Sequence, residues 1–204
     1  LTKLQSFGGY IKVRFFLKDD CEIVRKLLDE RAMNLALDAM ALDLVRLHPE
    51  AENLIVMGMA TRGIPLANEI SQRLTLRYGK PVLSGELDAS FYRDDFHYRN
   101  HFGNPVMRVL KTPASVEGKT VVLVDDVLYT GRSVRAAMQA VFDLGRPAAI
   151  RLCCLIDRGC RELPIAPDCI GLKIDTAPGE EVRVRISPLD NENAVYLVKV
   201  GESK

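Results

Sequence analysis

The sequence predicts an α/β fold with a central, mainly parallel sheet flanked by helices, and two observations carry that prediction. The first is an unbroken succession of strand, helix and strand: "TVVLVDD" (120–126), "SVRAAMQAVFDLG" (133–145) and "AAIRLCCLID" (148–157). A unit of this kind sets its two strands parallel, with a right-handed crossover. The second is another strand, turn and helix earlier in the chain, "NLIVMGM", "ATRG" and "IPLANEISQRLTLRYG". With 204 residues, 48% of them hydrophobic and 27% charged, the chain fits one ordinary domain with an appended arm.

Residues 1–26 read as the amino-terminal arm, opening on Leu1 rather than Met, with "GGYIKVRFFLKDD" a candidate extra strand. The main domain then occupies residues 27–204. Residues 29–47 carry Met33, Leu37, Met40, Leu44 and Leu47 at helical spacing, and Asp29 and Glu30 suit the first turn. "NLIVMGM" is a buried strand, and the helix after "ATRG" closes at Gly79. "PVLSGELDASFY" reads as a further strand, and the polar, aromatic stretch from about 92 to 118 lacks periodicity. Long irregular segments inside compact domains usually cover a functional site. In the helix at 133–145, Val134, Met138 and Val141 share one face. The alternation in "EVRVRI" and "AVYLVKV" predicts terminal antiparallel strands at an edge, where Arg183 and Arg185 discourage aggregation.

The net charge of +1 advertises no global affinity for nucleic acid, so a basic surface has to be argued from position. The five cysteines form no C-x-x-C pair and read as free buried thiols of a cytoplasmic protein. No apolar run approaches the roughly 18–20 residues of a membrane span, and no signal-peptide pattern is present.

The chemistry concentrates in "VVLVDDVLYTGRSV" (121–134). Open α/β sheets bind ligands beyond the carboxyl ends of their strands, where both Ala60–Gly63 and Asp125–Ser133 fall. Thr130, Gly131, Arg132 and Ser133 open a helix whose unpaired N–H groups suit a phosphate. Asp125 and Asp126 would repel that phosphate, so they serve sugar hydroxyls or a hard cation. A phosphorylated sugar with Mg²⁺ is the ligand this arrangement implies. Two competing motifs fail. "GKT" at 118–120 has Pro113 where a P-loop needs its first Gly, and a strand follows it rather than a helix. His97 and His101 have no third ligand nearby for zinc.

"VVLVDDVLYTGRS" resembles the 5-phosphoribosyl 1-pyrophosphate (PRPP) motif of the type I phosphoribosyltransferases. Together with "TRGIPLA", "GELDASFYRDD", "DDVLYTGRSVRAAMQAVFDLGRPA" and "LIDRGCRELPI", it resembles in order and spacing the family of bifunctional pyrimidine operon attenuation regulators and uracil phosphoribosyltransferases. The similarity runs over roughly residues 27–198.

This resemblance implies the type I phosphoribosyltransferase fold, with a flap or hood over the carboxyl edge of the sheet. It implies that Asp125 and Asp126 hold the ribose hydroxyls and, indirectly, Mg²⁺, and that Thr130–Ser133 hold the 5-phosphate. Thr61, Arg62 and Gly63 would grip pyrophosphate, Asp157, Arg158 and Gly159 would bind the base, and Tyr92, Arg93, Asp94 and Asp95 would belong to the flap. The implied reaction is uracil plus PRPP giving UMP and pyrophosphate, in a homodimer or homotetramer. Tyr129 stands where purine-using relatives carry an acid, which favours a pyrimidine over the alternative of a purine substrate. The family also implies a regulator that binds pyrimidine-operon leader RNA. Here the first helix sets Asp29, Glu30, Asp38 and Asp43 against only Arg31 and Arg46, and Leu35, Asp38 and Leu42 stand where cationic or hydroxyl-bearing residues would be expected. Arg135, Arg146 and Arg151 are left as the candidate RNA-binding residues, and catalysis ranks before regulation.

Overall fold

In the computed structural model the described residues are 21–88, 112 and 114–200, with the backbone of four two-residue strands ahead of them. Of those four, β1 (Thr2–Lys3) pairs with β4 (Arg14–Phe15) and β2 (Ser6–Phe7) with β3 (Tyr10–Ile11), both antiparallel. There follow β5 (Glu22–Leu28), α1 (Glu30–Leu47), β6 (Leu54–Met59), α2 (Gly63–Tyr78) and β7 (Leu83–Leu87). The rest of the chain forms β8 (Thr120–Leu128), α3 (Arg132–Leu144), β9 (Ala149–Asp157), β10 (Cys169–Lys173), β11 (Glu180–Arg185) and β12 (Ala194–Lys199). The chain divides into two compact units, residues 34–174 and residues 1–33 with 175–204.

The larger unit holds a five-stranded sheet in the order β10-β9-β8-β6-β7, parallel throughout. Every residue of β6 is buried, as are Val121–Val124 of β8 and Leu152–Asp157 of β9. Consecutive burial without alternation is the signature of strands covered on both faces. In α1 the stripe Met33, Leu37, Met40 and Leu44 is buried as its spacing predicts, whereas Leu47, at the last helical position, is exposed. The amino end of α1 is capped by Asp29, whose Oδ1 accepts the N–H of Ala32 at 2.8 Å. Helix α2 closes as predicted: Gly79 takes a left-handed conformation (φ 65°) and its N–H reaches Thr75 O. The buried face of α3 is wider than predicted, because Ala136, Ala137 and Ala140 join Val134 and Val141 in the core with Met138 packed against them.

The smaller unit is a three-stranded antiparallel sheet, β11-β12-β5. The terminal strands are antiparallel as predicted, but they pair with β5 in a sheet of their own instead of edging the parallel one. Arg183 and Arg185 do lie on the edge strand β11, and Val182 and Val184, which alternate with them, are buried. The position taken as the end of the arm, residue 26, falls inside β5. Cys21, Ala194, Tyr196 and Val198 form this unit's core.

Four cysteines are buried and free, while Cys160 is free and exposed, unlike the other four. Cys153 and Cys169 are register partners, and the Cys153 thiol is pushed up by its hydrogen bond with Cys169 and by burial. Among the described residues no helix is long and apolar enough to cross a membrane.

Candidate active site

The strands of the parallel sheet end unevenly, and that unevenness makes the site. Register pairing of β6 with β8 stops at Gly58 and Val124, whereas β8 continues against β9 as far as Leu128 and Asp157. Asp125 and Asp126 are therefore inside a strand, just past the point where its pairing with β6 has stopped. Their carboxylates answer backbone N–H groups on that uneven edge: Asp125 Oδ1 accepts from Asp126 N at 2.9 Å, and Asp126 Oδ1 from Val127 N at 2.9 Å. Both residues are half-buried.

The turn after β6 sits directly against this place. A Cβ on Gly63 would lie 2.3 Å from Val124 O and 3.4 Å from the Asp125 Cα, so only glycine lets the Ala60–Gly63 turn pack on β8. Thr61 is exposed, and half-buried Arg62 immediately precedes α2. The Ala60–Thr61 peptide bond is cis. The two loops that the sequence placed at one edge do meet.

The loop after β8 opens a helix as predicted. Gly131 is the N-cap of α3 with φ 90°, a left-handed conformation that favours glycine. Thr130 Oγ1 accepts the N–H of Arg132 at 3.3 Å. The base-type loop follows β9: Asp157 is buried, and its Oδ1 accepts the N–H of Gly159 at 3.0 Å. The Arg158 guanidinium lies 4.0 Å from the centre of the Tyr129 ring, a cation–π contact linking the two loops.

Sequence reasoning missed the segment that braces these loops, Arg161–Ile165. Thr130 O accepts the N–H groups of Glu162 at 3.0 Å and Leu163 at 3.2 Å, and Glu162 Oε2 holds Arg132 Nε at 2.6 Å. Arg161 reaches Asp157 Oδ1 at 2.6 Å and Tyr129 O at 2.8 Å. The only sequence signal was a charged pair, Arg161–Glu162, set against the apolar Leu163, Pro164 and Ile165 directly after the base loop.

Burial first, and then the charges of Asp125 and Asp157, raise the Cys154 thiol well above its ordinary value. Cys154 is therefore a protonated core residue and no nucleophile. Among the described residues no three His, Cys, Asp or Glu form a metal cage, so there the site offers a cation the adjacent carboxylates Asp125 and Asp126. That donor set suits a hard ion that keeps its waters and shares a ligand's phosphate oxygens.

The other predicted residues scatter. Arg135 lies in the first turn of α3 and exposed Arg146 beyond its carboxyl end. The 13-residue helix α3 is about 20 Å long at 1.5 Å per residue, so these two arginines stand at opposite edges of the sheet. Arg151 is committed elsewhere: its Nη1 lies 3.1 Å from Asp168 Oδ1, and its Nε donates to His48 Nε2 at 3.2 Å. Leu35 and Leu42 are exposed on α1. Tyr92, Arg93, Asp94, Asp95, His97 and His101 lie outside the described residues.

Comparison with known proteins agrees with this geometry. The phosphoribosyl transferase domain family matches residues 24–187. "Bifunctional protein PyrR" of Pelotomaculum thermopropionicum is 43% identical over 177 residues, covering 87% of this chain and 97% of that protein. The protein of the same name from Bacillus subtilis is 41% identical over 171 residues, covering 84% and 94%. The chain belongs to the PyrR family of type I phosphoribosyltransferases. Among solved structures, a hypoxanthine-guanine phosphoribosyltransferase of Bacillus anthracis superposes with TM-score 0.64 at 19% identity, covering 88% of this chain and all of that one. The hypoxanthine phosphoribosyltransferase of Trypanosoma cruzi gives TM-score 0.65 at 16% identity, covering 88% and 98%. At such identities these two speak for the fold alone.

Proposed function

We propose that this phosphoribosyltransferase converts uracil and PRPP to UMP and pyrophosphate. The observation that carries the reading is the meeting of the Gly63 turn with β8 at Val124 and Asp125, which supports reading that turn as the pyrophosphate loop and the adjacent acidic pair as the ribose-binding one. Asp125 and Asp126 accept hydrogen bonds from the ribose hydroxyls. Thr130–Ser133, at the amino end of α3, hold the 5-phosphate through backbone N–H groups and hydroxyls. Arg62 meets charge growing on the departing pyrophosphate. The bond from the anomeric carbon to pyrophosphate breaks, a bond to uracil N1 forms, and the N1 proton is released. Positioning and exclusion of water do most of the work on such an oxocarbenium-like path, and no covalent enzyme intermediate is needed. Mg²⁺, held through Asp125 and Asp126 and the substrate's oxygens, would supply charge neutralisation to the leaving group.

Initial rates with uracil, orotate, hypoxanthine, guanine and xanthine, each with PRPP and Mg²⁺, test the reading. Turnover of uracil alone is expected. Turnover of a purine in its place sinks it and favours the purine alternative, against which Tyr129 ahead of Thr130 argues.

A second role as a UMP-responsive regulator that binds pyrimidine-operon leader RNA is favoured by the relatives' name, "Bifunctional protein PyrR". Exposed Arg146 is the residue best placed for it outside the substrate loops. Titration of leader RNA against a scrambled RNA at several salt concentrations checks this role, because phosphate-mediated binding weakens as salt rises. Equal affinity for the two RNAs leaves the enzyme reading alone.

A further inference from the structure

We propose that Arg161 is a positioning residue that couples the 5-phosphate loop to the base loop, an inference that rests on the phosphoribosyl-transfer reading. Arg161 makes five directed contacts with three segments. Its Nη1 donates to the carbonyls of Leu128 at 3.4 Å, Tyr129 at 2.8 Å and Gly159 at 3.1 Å. Its Nη2 reaches Asp157 Oδ1 at 2.6 Å, and its Nε donates to Ile165 O at 3.1 Å. The guanidinium therefore ties the last residue of β8 and the residue just before the phosphate loop to Asp157 and Gly159 of the base loop.

Two features make this tie directional as well as cohesive. The Asp157 Oδ1 that Arg161 holds is the same atom that accepts the Gly159 N–H, so the guanidinium fixes the peptide expected to face the base. The Tyr129 carbonyl that it holds belongs to the residue before Thr130, whose own carbonyl is pinned independently by Glu162 and Leu163. With the phosphate loop anchored twice and the base loop anchored through Arg161, a 5-phosphate that settles Thr130–Ser133 also settles Asp157–Gly159. The Arg161 side chain is 21% exposed and its Asp157 partner 8%, which shields the pair from competing water. A planar fork of five donors suits four carbonyls and a carboxylate at once, and a lysine ammonium cannot reproduce it.

The test is initial-rate kinetics in which the base that is turned over is varied at several PRPP concentrations, for wild type, Arg161→Lys and Arg161→Gln, with ribose 5-phosphate binding followed by calorimetry. In wild type the apparent KM for the base should fall as PRPP rises. In Arg161→Lys that dependence should vanish and the KM for the base at saturating PRPP should rise about tenfold or more, at roughly the value of one or two charged hydrogen bonds. The Kd for ribose 5-phosphate should change less than about threefold, because Thr130 keeps its separate anchors, and this is the readout that a merely structural residue would move. Equal weakening of ribose 5-phosphate and base, interdependence retained in both variants, or failure of both variants to fold would each overturn the proposal. A wild-type protein that turns over no base overturns this inference and the functional reading together; a wild type that turns over a base while Arg161→Lys keeps the PRPP dependence of its KM overturns this inference alone.

Discussion

The two ends of the parallel sheet solve one problem differently. At the amino edge β6, β8 and β9 begin level, and backbone mostly satisfies backbone: Thr120 N–H donates to Asn53 O, Gly118 N–H to Arg146 O and Ala148 N–H to Lys119 O, with Glu117 Oε2 accepting the Arg146 N–H. At the carboxyl edge β6 stops early while β8 and β9 run on, and side chains supply acceptors and donors for the backbone left over. Asp125, Asp126, Asp157 and Arg161 all do this, and all lie where a ligand would be bound. A level strand end leaves few backbone groups over, whereas an uneven one leaves more of them for charged side chains to answer.

The comparison breaks first at the acidic pair. Changing Asp125 and Asp126 together to Asn should reduce PRPP use on the order of 10²–10⁴-fold, since each charged hydrogen bond to a ribose hydroxyl contributes about 1.5–3 kcal/mol. Asn keeps the oxygen that accepts each backbone N–H, so Tm should move by no more than about 2 °C. Steady-state kinetics beside a thermal melt checks both halves, and a large drop in Tm with activity retained would make the pair structural.

A smaller effect is expected from Gly63→Ala. The new Cβ would fall 2.3 Å from Val124 O, which is backbone and cannot turn away. The turn must shift off β8, at about 1–3 kcal/mol of stability, the usual range for overpacking. Denaturant unfolding measures that loss, and the KM for PRPP should rise alongside it.

At the amino edge Arg146→Glu should alter stability by less than about 0.5 kcal/mol, as exposed substitutions do. UMP formation should be unchanged, while leader-RNA affinity falls and the slope of its logarithm against that of salt flattens by about 1. An Arg146→Glu protein slowed in UMP formation would show that the two edges are not independent.

The smallest expected effect concerns His48, whose ring nitrogen accepts Arg151 Nε. Burial, and then the Arg151 charge, hold its pKa below the ordinary 6.5. The folded state therefore binds fewer protons than the unfolded one below that pH, and the contribution of neutral His48 is complete above about 6.5 and lost as pH falls toward the depressed value. Tm measured from pH 7.5 to 5 should fall with a steeper slope in wild type than in His48→Gln.

The elements legible in the sequence are those with enough length to show a period or enough apolar continuity to show burial. Helix α1 began within a residue of its predicted start because Asp29 is both a good cap and the residue before the apolar stripe. Strand β8 ran two residues further than predicted, because a pair of carboxylates looks like an end when only the chain is read. Strand β10 was missed: "CIGLK" is five residues with a central glycine, and it becomes a strand only because β9 offers a parallel partner at Cys153–Asp157. The place of β5 was likewise invisible, since its pairing with β12 joins residues far apart in sequence.

The candidate site divides along the same line. By itself the sequence determined where the charge and the glycines are: the acidic pair after an apolar run, Gly131 at the opening of α3, and the short turn ending in Gly63. These are local facts, set by side-chain chemistry and backbone freedom within a few residues. Only the tertiary structure decided that Gly63 rests on Val124, that Arg146 and Arg135 stand at opposite ends of α3, and that Arg161 joins Tyr129 to Asp157. Such contacts depend on strand register and on where neighbouring strands stop, and no local pattern carries that information because each is fixed by hydrogen bonds between segments remote in the chain.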